Sequence, residues 1–219
     1  MTQLVIIDYG SGNLRSVAKA CERALLDHSI SGEVIVSDDP ATLHHASHIL
    51  LPGVGAFGDC MQGLTSIDGL LATLTEQVLE KRRWFLGICV GMQLLFDKGY
   101  EHGEHAGLGW IGGEVKRFAT DGLKVPHMGW NRLSLNTPPG AGGIGSCSPL
   151  FHDIPNGAHA YFVHSYHAQG VADEHVIATT EYGGSVVAAV AKDNMFGAQF
   201  HPEKSQAAGL QLLANFLAL

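Results

Sequence analysis

The sequence predicts an α/β protein: an open, mostly parallel sheet with helices on both faces and added antiparallel strands in the C-terminal half. Three observations carry this expectation. In the first half, short apolar runs alternate with helix-period segments, the pattern of β–α–β units. Turn-forming stretches rich in Gly, Asp and Asn close those runs where a helix would begin. From about residue 108 the helix-period segments give way to successive strand-like runs. With 219 residues the chain can fill one core, residues 1–219, and a second domain is not required.

Residues 3–8 read as a buried strand, and Asp8-Tyr9-Gly10-Ser11-Gly12-Asn13 as a strand-to-helix loop. Leu14, Val17, Ala18, Cys21 and Leu25 then recur at helical spacing. Strands are expected at 33–37 and 47–51, with Asp38-Asp39-Pro40 between them as a helix start bearing Pro at N1. Residues 64–79 read as a further helix and 84–88 as a strand. Later strands are expected at 111–118, 124–135, 159–167, 175–182, 186–192 and 195–200, added to one sheet edge. An amphipathic helix closes the chain at 207–217, and 138–145 reads as a flexible surface loop rather than a linker. In parallel sheets ligands sit at the carboxyl ends of strands, where 8–13, 52–57 and Cys89 all fall.

The net charge of −8 argues against a nucleic-acid or anionic-membrane surface. The N-terminal run Gln-Leu-Val-Ile-Ile-Asp is too short and too quickly ended by a carboxylate for a signal peptide, and no apolar stretch has membrane-spanning length. The four cysteines, Cys21, Cys60, Cys89 and Cys147, have no paired spacing, which points to a reduced, cytoplasmic protein. Among the thirteen histidines, His44, His45 and His48 fall close together, as do His102 and His105. Neither group has a Cys or carboxylate at ligand spacing, so they read as solvated surface residues, with no metal and no cofactor expected.

Gly87-Ile88-Cys89-Val90-Gly91 lies between the apolar run Trp84-Phe85-Leu86 and the helix-like 92–96. A nucleophile with glycines two residues away on each side, between strand and helix, reads as a nucleophile elbow with Cys in place of Ser. The helix that starts there favours a thiolate. Cys21 and Cys60 lack this setting and read as structural. Downstream, His201-Pro202-Glu203 places an imidazole and a carboxylate two residues apart, side by side if the segment is extended. Glu203 can then orient His201 toward Cys89, the third-member role of a triad.

Pro52-Gly53-Val54-Gly55-Ala56-Phe57 follows an apolar strand but lacks the Lys-Ser/Thr of a phosphate loop. It reads better as an oxyanion hole, with the amide of Val54 or Gly55 joined by that of Val90; a purely structural turn is the alternative.

Together, Gly87–Gln93 and His201–Glu203 resemble the class I (triad) glutamine amidotransferases. Pro126-His-Met-Gly-Trp-Asn131, Tyr161-Phe-Val-His-Ser-Tyr166 and Gln199–Ser205 narrow the resemblance to the branch that serves histidine biosynthesis. Val90 and His167 depart from the usual residues, and neither touches the triad. The resemblance implies that Cys89, His201 and Glu203 hydrolyse glutamine. It implies that Gln93, Ser165, Tyr166 and Glu101 hold the substrate. It further implies a (β/α)₈-barrel cyclase partner that uses the ammonia to form imidazole glycerol phosphate and an aminoimidazole carboxamide ribotide. His127, Met128, Trp130 and Asn131 would lie at the docking face.

Overall fold

A computed structural model describes residues 1–119, 122–136 and 148–219. The expected 138–145 loop and Cys147 therefore lie outside the described residues. The chain opens with β1 (Thr2–Ile7), α1 (Leu14–Asp27), β2 (Gly32–Ser37) and β3 (His48–Gly53). Next come α2 (Phe57–Ser66), α3 (Leu70–Thr75), β4 (Trp84–Cys89) and α4 (Val90–Gln93). Leu4, Ile6, Ile7, Ile49, Leu50 and Leu51 are fully buried, which explains continuous apolar runs rather than alternation: these strands are covered on both faces.

Short strands β5 (Lys98–Gly99), β6 (His105–Ala106) and β7 (Glu114–Arg117) follow, then β8 (His127–Arg132) and β9 (Ser134–Leu135). The remainder is β10 (His159–His164), β11 (Tyr166–Gln169), β12 (Val176–Glu181), β13 (Ser185–Lys192), β14 (Met195–Ala198) and α5 (Gln206–Leu217). The large sheet is eight-stranded, in the order β2-β1-β3-β4-β14-β13-β12-β9. From β2 to β14 every pairing is parallel; β13, β12 and β9 extend it antiparallel. The step from β1 to β2 and the step from β3 to β4 run in opposite directions across the sheet. Right-handed crossovers then put α1 on one face and α2 with α3 on the other.

Three expectations change in detail. The helix expected at 64–79 begins earlier, at Phe57, and breaks before Leu70 at Gly69, whose φ of +75° a side chain would resist. Its early start depends on Glu101, whose Oε2 accepts a hydrogen bond from Phe57 N at 2.9 Å and so caps a helix 44 positions upstream. The helix-like run 92–96 ends as the four-residue α4, because Leu94, Leu95 and Phe96 are buried all round and give their carbonyls to the incoming 108–111 segment. Finally, the later strands do not all join one edge. β8 and β10 form a separate two-stranded sheet, and β11, β7, β5 and β6 a four-stranded one, with the expected 159–167 strand divided between them at Ser165.

Candidate active site

Cys89 ends β4 with φ +55° and ψ −111°, a conformation a non-glycine residue adopts only when the surroundings impose it. The flanking glycines explain how it is imposed. A Cβ on Gly91 would overlap the Leu51 carbonyl oxygen, and one on Gly87 the Gly91 carbonyl oxygen. The elbow is thus packed backbone against backbone, with Gly53 of β3 directly beside Cys89 in register.

β14 runs parallel to β4 with Ala198 opposite Ile88, so the residues that follow it emerge at the same end of the sheet. There His201 N donates to the Tyr161 carbonyl and Ser205 Oγ to the His201 carbonyl, fixing the His201 backbone from both sides. His201 Nδ1 stands 2.9 Å from Glu203 Oε1, with both side chains buried. Residues Pro202–Lys204 form a 3₁₀ turn rather than the expected extended segment, and the pair meets all the same. Among the described residues, the buried His201 Nε2 bonds to no other group. Burial alone would lower the His201 pKa, but Cys89 and Glu203 outweigh it and raise it to about 9. At neutral pH the imidazole therefore holds its proton beside Cys89.

The glycine-rich loop is held by the first β–α loop. Tyr9 OH donates to the Pro52 carbonyl at 2.6 Å, and Ser11 Oγ donates to the Val54 carbonyl at 2.6 Å. Ser11 Oγ also accepts from Val54 N at 3.1 Å, so in this state the Val54 amide is already bonded. Cys60, read as structural from sequence, places its Sγ 3.6 Å from the same carbonyl. Gly55 follows at φ +101°.

A cavity of about 310 Å³ opens over Cys89, Val90 and His201, with Val54 and Gly55 on its wall. The expected substrate residues Gln93, Glu101, Ser165 and Tyr166 all line it. Gln93 Nε2 donates to the Tyr166 carbonyl and to Gln199 Oε1, each at 3.0 Å. Gln199, fully buried and given no site role in the sequence reading, places its Nε2 3.9 Å from Cys89 Sγ.

The four residues expected at a docking face separate by strand alternation. Met128 and Trp130 point outward, 60% and 47% exposed. His127 is buried on the opposite face and does not fit a direct contact; Asn131, half-buried on that same face, donates to His127 and to the Glu181 carbonyl. His48 is likewise not the solvated histidine expected: it is buried edge-on to Phe216.

The sequence profile of the glutamine amidotransferase class-I family matches residues 5–219, and the chain belongs to that family. It is 50% identical over 217 residues to the imidazole glycerol phosphate synthase subunit HisH of Rhodospirillum rubrum, covering 98% of each chain. The protein of the same name in Rhizobium meliloti is 49% identical over 220 residues, again with 98% of each covered. The fold is shared with a crystal structure of a glutamine amidotransferase (TM-score 0.70, 17% identity, 98% of this chain and 99% of that one). A glutamine amidotransferase of Thermotoga maritima is similar at TM-score 0.58 and 16% identity, with 92% of this chain and 76% of that one covered. Among the described residues, no helix is long and apolar enough to cross a membrane.

Proposed function

We propose that this chain is the glutaminase subunit of an imidazole glycerol phosphate synthase. It hydrolyses glutamine to glutamate and passes the ammonia to a (β/α)₈-barrel cyclase subunit in the cytoplasm. The observation that carries the reading is the strained Cys89 elbow facing the buried His201–Glu203 pair inside one amino-acid-sized cavity.

The Cys89 sulfur attacks the side-chain amide carbon of glutamine, and the carbonyl electrons move onto oxygen. The Val90 amide and an amide of the Val54–Gly55 segment receive that oxyanion. As the tetrahedral intermediate collapses, the C–N bond breaks and His201 gives its proton to the departing ammonia. Water then attacks the thioester; His201 takes its proton, the C–S bond breaks, and glutamate leaves. Glu203 keeps the imidazole aligned and offsets its charge through both steps. Gln93 has both amide hydrogens committed, so its oxygen is what it offers a ligand, and that oxygen suits the ammonium of an amino acid.

The Val54 amide is engaged with Ser11, so a rotation of the Gly53–Val54 peptide completes the oxyanion hole. We assign that rotation to docking of the cyclase on the face bearing Met128 and Trp130. Glutamate release by the purified chain, alone and with the barrel partner plus its nucleotide ligand, tests the reading. Strong stimulation by the partner is expected, and full-speed turnover without it would overturn the switch. Capture of a different synthase by the tagged chain would overturn the assigned partner.

A further inference from the structure

On the cavity wall, His164 of β10 pairs with His127 of β8, and neither takes part in the chemistry above. His127 is stacked between Tyr182, at 3.9 Å and 20° between planes, and Phe162, at 4.8 Å and 19°. His127 Nδ1 lies 3.1 Å from His164 Nε2, His164 Nδ1 lies 2.8 Å from the Tyr166 carbonyl oxygen, and Asn131 Nδ2 lies 3.1 Å from His127 Nε2.

Every proton in this chain can be placed, because both ends are fixed by groups with one role. The Glu181 carbonyl can only accept, so the Asn131 atom 2.9 Å from it is the NH₂ group. Asn131 Oδ1, in turn, accepts from Arg132 N at 2.8 Å. The second Asn131 hydrogen then goes to His127 Nε2, which must carry a lone pair. At the other end the Tyr166 carbonyl can only accept, so His164 carries its proton on Nδ1 and a lone pair on Nε2. His127 must therefore donate from Nδ1. The two ends demand the same tautomer of both rings, and burial keeps both neutral by lowering their pKa values to about 4 and about 3.

The Tyr166 carbonyl that ends this relay also receives Gln93 Nε2. We propose that His127 and His164 are positioning residues for the substrate, a one-way hydrogen-bond relay that holds the Tyr166 carbonyl and thereby turns the Gln93 oxygen toward the bound amino acid. The relay starts on the strand that carries Met128 and Trp130, so the inward face of β8 and the amino-acid end of the cavity share one hydrogen-bonded chain. The proposal rests on the reading of the cavity as a glutamine site.

The isosteric N131D variant, assayed in complex with the cyclase, tests it. A carboxylate can only accept, so His127 carries a proton on Nε2; with burial holding the ring neutral the Nδ1 proton is lost, the next contact reverses, and His164 presents a lone pair to the Tyr166 carbonyl, whereas a doubly protonated His127 would keep the direction and the parent KM. The KM for glutamine is expected to rise about tenfold with kcat little changed, the scale of one lost hydrogen bond. ¹⁵N imidazole shifts of the free chain should show both rings as Nδ1–H tautomers in the parent and a changed tautomer in N131D. Y182L serves as the control for mere destabilisation: it removes the ring stacked on His127 but none of the relay's hydrogen bonds. Its unfolding temperature should fall further than that of N131D, while its KM stays near the parent value. An unchanged KM in N131D despite a changed tautomer, equal KM increases in both variants, or Nε2–H tautomers in the parent would each overturn the relay. Absence of glutamine hydrolysis by the parent complex would instead overturn the glutaminase reading, leaving the tautomer result standing by itself.

Discussion

Ser11 holds Val54 by both polar groups of its backbone, donating to the carbonyl at 2.6 Å and accepting from the N–H at 3.1 Å. One hydroxyl therefore decides where the Val54 amide points. Removing it with Ser11→Ala leaves the carbonyl with the weaker Cys60 thiol and the N–H with no side-chain acceptor. Glutamate release by the chain without its partner is expected to rise about tenfold, the scale of one hydrogen bond. The rise stays below the roughly 100- to 1,000-fold value of a complete oxyanion donor, since the peptide must still rotate. A steady-state glutamate assay on the free chain reads it directly, and an unchanged basal rate would remove Ser11 from the switch.

Cys89→Ala should abolish glutamine-dependent synthesis by the complex while ammonium salts still support the cyclase, since only ammonia production is lost. Product formation measured with each nitrogen source in turn separates the two. Persistence of normal glutamine turnover would sink the nucleophile assignment.

Glu203→Gln should reduce kcat less than His201→Ala, by roughly one to two orders of magnitude, because the imidazole survives while its orientation and charge balance weaken. Single-turnover acylation by a glutamine-like thiol reagent, measured for folded samples of each, checks the order. Equal and complete losses would mean that Glu203 does more than orient.

Stability should peak near pH ~6.5, the unperturbed histidine value. His48, His127 and His164 are lowered by burial to about 4, 4 and 3. The unfolded chain takes up their protons first, so stability falls as pH drops from about 6.5 toward 4. His201 has the opposite sign. Burial would lower it, yet Cys89 and Glu203 raise it to about 9, so its contribution is complete below 6.5 and lost as pH climbs through 9. Thermal unfolding from acid to alkaline pH would reveal both limbs. His201→Gln is expected to flatten only the alkaline one.

What can be read from the sequence is local. Gly87, Cys89 and Gly91 declare an elbow because two residues either side is the spacing the turn requires, and His201 declares Glu203 from two positions away. The parallel half of the sheet follows from unbroken apolar strands separated by helices. The contacts that give no signal act across distance in the chain, even between residues of recognisable segments: Ser11 reaches Val54 over 43 positions, Gln199 reaches Gln93 over 106, and His127 meets His164 over 37. No periodicity announces such a meeting, since it exists only once the sheets are assembled. Taking residues 126–131 as a block places His127 and Asn131 at the surface with Met128 and Trp130. A strand gives alternate residues to opposite sides, and only the pairing of β8 with β10 reveals which side is which.

β8 has a single hydrogen-bonding neighbour, whereas β4 at the nucleophile is flanked by β3 and β14. A two-stranded ribbon has no third strand to resist a shift or a change of twist. The molecule thus keeps Cys89 on a strand braced on both sides and Trp130 on a strand braced on one. Trp130 pairs with Tyr161, whose carbonyl accepts from His201 N, so a partner pressing on Trp130 meets the ribbon and the backbone of His201 before it meets the strand braced on both sides.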